Sequence, residues 1–245
     1  MTTNNLTEVQ VTEVQNSAFG NLTAMFMEPS RAFAAIEKRS MVWLPLVLTA
    51  LFTTILLIWY FQSVDFAWLL DRMTATIPDP AAREKVASFM TKSTMQVSSV
   101  AGAFIVTPLV YILMAVYFLL VAKIHKLEIG FTKWFSFVAW ASVPGLLLLP
   151  LGGMQILMAH NGQLGLDQLN PVTLNQLFFH IEMGRPWASL LDSINIASIW
   201  TAVLMVVGFQ TWSKSSRTSS IMIVAIPYVV IYAVWSIISL MSKAV

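Results

Sequence analysis

The chain has 245 residues, 57% of them hydrophobic and only 11% charged, with a formal net charge of +2. Soluble domains carry about 25% charged residues, so the composition argues against a water-soluble fold, and near-neutral charge excludes nucleic acid as an implied partner. With no cysteine, disulfides, thiolate metal sites and cysteine nucleophiles are excluded.

Residues 1–17 are polar, lack lysine and arginine, and repeat Thr7-Glu8-Val9-Gln10 as Thr12-Glu13-Val14-Gln15. They read as a disordered tail with no cleavable signal. Residues 18–40 read as an amphipathic interfacial segment. Pro29 suits the first turn of a helix. Phe33 and Ile36 lie three apart on one side, placed to bury in the headgroup boundary, while Arg31, Lys38 and Arg39 attract anionic lipid.

Residues 41–245 read as a five-helix transmembrane domain. The stretches 40–64, 97–122, 134–159, 193–213 and 218–242 run 21 to 26 residues without a charged residue or histidine. A bilayer core needs about 20 apolar residues per helix. Lipid forces each span to satisfy its own backbone, so the spans are helices; the short alternating segments of a β-barrel are absent. The expected fold is an all-α membrane protein of five transmembrane helices, with short amphipathic interfacial helices before helix 1 and in the two long extracytoplasmic loops.

The first span covers 41–61, an uncleaved anchor with Trp43 at one interface and Trp59-Tyr60 at the other. After it, Phe66, Leu69, Leu70 and Met73 keep the spacing of a buried helical face. Asp79-Pro80 is an N-cap followed by proline at N1; a helix starting there is expected to carry Val86, Phe89 and Met90 straight into the second span. Asp65, Asp71, Asp79 and Glu84 interleave with Arg72, Arg83 and Lys85, which predicts a salt-bridged polar face. Pro108 is expected to kink the second span.

Lys123, Lys126 and Lys133 mark a short basic connector. The third span contains Pro144-Gly145, Pro150 and Gly152-Gly153, so it should be bent or broken. Beyond it, Asn170-Pro171 caps a segment with Leu174, Leu177, Phe178 and Ile181 on one face, and Trp187, Leu190, Leu191 and Ile194 repeat the spacing after Pro186. The fourth span ends at Gln210-Thr211-Trp212; the fifth contains Pro227 and closes at Lys243. With the N-terminus inside, the inside segments hold eight lysines and arginines against six outside, and the long outside loops hold seven acids. The N-terminus is therefore placed in the cytoplasm and the C-terminus outside.

The spans contain no acid, base or metal ligand. That argues against intramembrane proteolysis and proton coupling. His125 falls on the opposite side from His160 and His180, so the three cannot share one metal. No phosphate-binding loop, nucleophile elbow or zinc-protease motif is present. The chain is read as non-enzymatic, with no cofactor and no metal; an extracytoplasmic enzyme would need His160, Asp167, His180 and Glu182 to converge. Ser98, Ser99, Thr107, Ser142, Gln155 and Gln210 sit near the small residues Ala101, Gly102, Ala103, Ala141, Gly145, Gly152 and Gly153. This reads first as helix–helix packing. The alternative is a path for a neutral or lipidic solute through the bent third helix, along Pro144, Gly145, Gly152, Gly153 and Gln155.

Met27-Glu28-Pro29-Ser30-Arg31-Ala32-Phe33-Ala34-Ala35-Ile36, then Trp43-Leu44-Pro45-Leu46, resembles the entry to bacterial-type members of the Yip family. Ile129-Gly130-Phe131-Thr132-Lys133 through Trp140-Ala141-Ser142-Val143-Pro144-Gly145 is similar to that family's third-helix entry. The resemblance covers about residues 25–242. Taken with five spans and a cytoplasmic N-terminus, it implies a fold and a location, with no settled activity from which catalytic residues could be carried over. Eukaryotic members are trafficking factors associated with small prenylated GTPases. Their aspartate-leucine-tyrosine-glycine-proline motif is missing here, which argues against a small GTPase partner. The expected function is organising membrane or recruiting partners, possible other membrane proteins among them, at the cytoplasmic face through Arg31, Phe33, Ile36, Lys38, Arg39, Lys123, Lys126 and Lys133. The lipid bilayer is its first partner. The expected location is a bacterial inner membrane, with a Golgi or endoplasmic reticulum membrane as the alternative.

Overall fold

The computed structural model describes residues 18–241; the polar tail and the close of the fifth span at Lys243 lie outside the described residues. Helices α1 (Ala18–Met27) and α2 (Pro29–Lys38) precede α3 (Trp43–Ser63), the first span. Then come α4 (Phe66–Thr74), α5 (Pro80–Phe89) and the long α6 (Lys92–Ile124). The third span is α7 (Phe131–Ala141), a 3-10 turn (Val143–Leu147) and α8 (Leu148–Met158). Short turns and α9 (Ala188–Ser193) lead to α10 (Ile196–Ser213) and α11 (Arg217–Met241). No strand forms among the described residues.

Trp43–Ser63, Lys92–Ile124, Phe131–Met158, Ile196–Ser213 and Arg217–Met241 are each long and apolar enough to cross a membrane. Their exposed surfaces fit that length. Phe104, Ile105, Val106, Leu109 and Val110 on α6, and Val229, Val230, Ile231 and Val234 on α11, stand uncovered. A water-soluble monomer does not present apolar stripes of that extent. Protein buries 50% of the third span's most apolar window and 11% of the fifth's. The third span is therefore where irregular backbone is tolerable, because lipid supplies no partner for freed N–H and C=O groups. The expected break falls at Ser142, just before Pro144-Gly145, with Val143 and Pro144 buried beside it, while Pro150 and Gly152-Gly153 lie inside α8. Ser142 keeps its N–H and its Oγ on the Val138 carbonyl, at 3.1 and 2.9 Å.

Side-chain caps open several of the helices. Asp65 accepts from the Trp68 N–H at 3.1 Å, opening α4 with Leu69 buried. Asp79 accepts from Ala81 and Ala82, with Pro80 at the first position of α5. The expected continuous run into the second span does not form. α5 ends at Phe89, and Thr91 Oγ1 caps a new helix by accepting from the Thr94 N–H at 3.1 Å. Pro108 removes one donor from α6 without ending it. The segment after Asn170-Pro171 also departs from expectation. It winds as a π-turn over Asn175–Phe179, capped by Thr173 Oγ1 rather than by Asn170, and stops at His180 in the left-handed region. Leu177 and Phe178 are exposed there, Phe178 at 70%.

The described chain forms two compact units. The first takes in residues up to Val47, Leu109–Pro144 and Trp200–Pro227. Its core is aromatic: Trp134 stacks on Phe118 at 5.4 Å and on Phe209 at 5.9 Å, and lies 5.2 Å from Trp212. Tyr117 donates to the Ile223 carbonyl at 2.6 Å, joining the second span to the fifth. The second unit takes in Leu48–Pro108, Gly145–Ile199 and the chain from Tyr228. Leu56, Tyr60, Phe61, Val64, Leu69, Ile156, Leu164 and Leu169 form its core, and the Tyr60 hydroxyl donates to the Leu164 carbonyl at 2.8 Å.

Candidate functional site

The sequence's first candidate surface lies in the first unit. α2 packs on α1 and on α7. Its apolar face, Ala32, Phe33 and Ile36, is fully covered by protein. This corrects the expectation that Phe33 and Ile36 insert into the headgroup boundary. The Phe33 ring sits 5.2 Å from Phe137, and its carbonyl accepts from Trp212 Nε1 at 2.8 Å. A Cβ added at Gly208 would come within 2.8 Å of the Phe33 ring, so the missing side chain there is what admits it. The linker that follows is also held. The Met41 carbonyl accepts from Trp140 Nε1 at 2.5 Å and from Ser136 Oγ at 3.4 Å. One side of α2 thus fixes how the chain enters the first span.

The other side of α2 carries the cations. Arg31, Lys38 and Arg39 are exposed, and Arg31 pairs with exposed Glu28 at 3.1 Å. Lys123 lies in the last turn of α6 and Lys126 just beyond it, both exposed. Lys126 takes φ 56 while the Leu127 N–H returns to the Ala122 carbonyl at 2.8 Å. That is the helix-ending hydrogen bond usually built on glycine. Lys133 lies in the first turn of α7 and is half-buried. Arg31, Ala34, Ala35, Lys38, Arg39, Met41 and Asn21 line a cleft of about 410 Å³.

The helix-3 residues have a different environment. Gly152 and Gly153 allow close helix contact: an added Cβ would come 2.8 Å from Leu56 Cδ1 and 2.7 Å from Trp59 Cζ3. Small residues permit this approach in lipid, where packing must replace the hydrophobic drive. Gly145 has open space around its Cα, Pro144 is buried and Gln155 is half-buried. A void of about 10 Å³ beside Ile156 and Tyr60 is room for a single water. A Cβ added at Gly102 would meet no other element within 4 Å, and Ser98 bonds back to its own helix at Thr94, so these two do not serve the expected packing between helices.

In the loops, Arg72 does not pair with its neighbouring acids. Its Nη2 meets Asp167 Oδ2 at 3.0 Å and its Nη1 donates to Gln168 Oε1 at 2.9 Å. Arg83 takes Asp71 instead. Asp167 is therefore engaged, while His160, His180 and Glu182 are exposed, and among the described residues no three His, Cys, Asp or Glu side chains cluster to hold a metal ion. Nearby, burial holds the Asp192 carboxyl above the usual carboxylate range, with the Asp167 charge adding to the shift and Asn175, Thr173 and Arg72 opposing it. Sequence reasoning missed the Arg72–Asp167 pair, because nothing in either segment's spacing signals a partner ninety-five positions away.

Five long apolar helices and a broken, protein-buried third span define an integral membrane protein. The chain belongs to the Yip1 domain family, whose model matches residues 23–238. No curated protein and no solved structure matches it.

Proposed function

We propose that this protein is non-enzymatic and organises membrane or recruits partners through the cationic side of α2 and the basic connector, on the cytoplasmic face of a bacterial inner membrane. One observation carries the reading: α2 turns Phe33 and Ile36 into the protein and leaves Arg31, Lys38 and Arg39 outward. The helix is anchored by one face, so the other is free to meet lipid headgroups or a second protein without unfolding anything. Cationic clusters beside spans attract anionic lipid, and the ends of all five spans that alternation places on one side belong to the same compact unit. Lys38→Ala with Arg39→Ala and Lys126→Ala should reduce the set of proteins captured by in-cell photocrosslinking from position 31, with folding intact. An unchanged crosslinked set would sink the recruiting role.

Orientation is tested separately, since the chain lacks cysteine. In intact cells Glu84→Cys and Glu182→Cys should react with an impermeant maleimide, and Lys126→Cys only after lysis. The reverse pattern would invert the assignment. The helix-3 path remains the second reading; it needs solute flux in liposomes that Gln155→Leu alters.

A further inference from the structure

The cleft beside α2 holds more than a diffuse positive face. Arg31, Ala34, Ala35 and Lys38 stand at i, i+3, i+4 and i+7, so they form one stripe on the helix. The alanines leave a floor between two cations, Arg39 and Met41 extend it, and Asn21 closes it from α1. The space, about 410 Å³, lies within the range of sites that take small ligands. Asn21 is 8% exposed as a residue and lines the cleft, where its amide is able to donate to a bound polar group. No acidic side chain lines the cleft among the described residues. Glu28, which pairs with Arg31 from outside, forms an exposed i, i+3 contact of the weak kind.

We infer that this cleft is a binding site for a phosphate-bearing anion. Arg31 and Arg39 offer planar guanidinium forks matched to phosphate oxygens, Lys38 adds a point charge and Asn21 donates its amide N–H. The inference rests on the reading of the basic face and sharpens it to one ligand chemistry. A phospholipid headgroup and a soluble phosphate ester share that chemistry. The apolar spans beside the site bring lipid headgroups within reach, and the assay separates the two sources.

The protein, purified in nanodiscs of phosphatidylcholine doped with phosphatidic acid, would be released and its retained lipid counted by native mass spectrometry. A parallel titration would use glycerophosphate at constant ionic strength. Lys38→Gln should weaken phosphatidic acid retention about fivefold. Asn21→Leu should weaken it comparably although no charge changes, and Ala35→Leu, which fills the cleft from its open side, should do the same if Asn21→Leu folds poorly. Lys214→Gln, an exposed cation outside the cleft and the basic connector, should leave it unchanged. Displacement by glycerophosphate assigns the site to soluble esters, and resistance to it assigns a lipid headgroup; both support a phosphate site. Wild-type retention in Lys38→Gln, Asn21→Leu and Ala35→Leu would overturn it. So would equal losses in Lys38→Gln and Lys214→Gln with none in Asn21→Leu or Ala35→Leu, although the diffuse basic face would then stand. If phosphate binding is lost while the photocrosslinked partners persist, the recruiting role falls and the cleft stands.

Discussion

Phe33→Ala should lower the stability of the purified protein by about 3–5 kcal/mol, far more than any change in the cationic stripe of the same helix. The side chain is 0% exposed and rests against Phe137, in a notch left by Gly208. Its backbone carbonyl takes the Trp212 indole N–H, so truncation opens a cavity beside a buried hydrogen bond. Water or lipid can enter that space only by loosening α2 from α7. Arg31→Ala and Lys38→Ala, on the open side, should stay within about 0.5 kcal/mol. Thermal unfolding in one detergent, followed by tryptophan fluorescence, gives the comparison. Similar small shifts for Phe33→Ala and Arg31→Ala would mean that Phe33 faces lipid, as its sequence spacing alone suggests.

That spacing shows how far the sequence could be read. A bilayer imposes length and the exclusion of charge on each span, and both are visible in single runs of residues. The five spans, the cap at Asp79 and a break in the third span were therefore legible. The pattern Phe33–Ile36 says that one side of α2 is apolar, but not what covers it. Its partners Phe137, Gly208 and Trp212 come from other helices, and periodicity carries no long-range pairing. The stop between Phe89 and Lys92 was hidden for a local reason: the Thr91 hydroxyl competes for the helix-start N–H in a stretch whose apolar spacing favours continuation. Leu177 and Phe178 were assigned a 3.6-residue repeat, and a wider π-turn forms there. For the candidate surface, the cations could be read directly, whereas the cleft depends on Asn21 approaching from α1.

Arg72→Met should remove about 3–5 kcal/mol at neutral pH, because it strands a buried carboxylate. The Asp167 side chain is 6% exposed, and its Oδ1 has no hydrogen bond among the described residues. Without Arg72 its remaining side-chain donor is Gln176 Nε2 at 3.4 Å. Arg72 also donates to Gln168 and lies over the Trp68 ring at 5.4 Å, so it ties α4 to the 3-10 turn Leu166–Leu169. The loss should depend on pH through Asp192. Its folded carboxyl already sits above the ordinary range, and Arg72 is one of the groups that pull it down. A raised carboxyl means that the folded state binds the proton more tightly than the unfolded chain does, so its contribution to stability falls as pH rises from the unfolded value through the folded one. Removing Arg72 raises it further. The deficit of Arg72→Met against wild type should therefore be largest at neutral pH and shrink in mild acid. Arg72→Met with Asp167→Leu should recover much of the loss, since no charge is then left unpaired. A pH-independent deficit, with the double variant no better than the single, would show that solvent reaches the pair freely. The expected pattern instead makes this pair the tether that fixes how two loops, distant in sequence, meet within one unit.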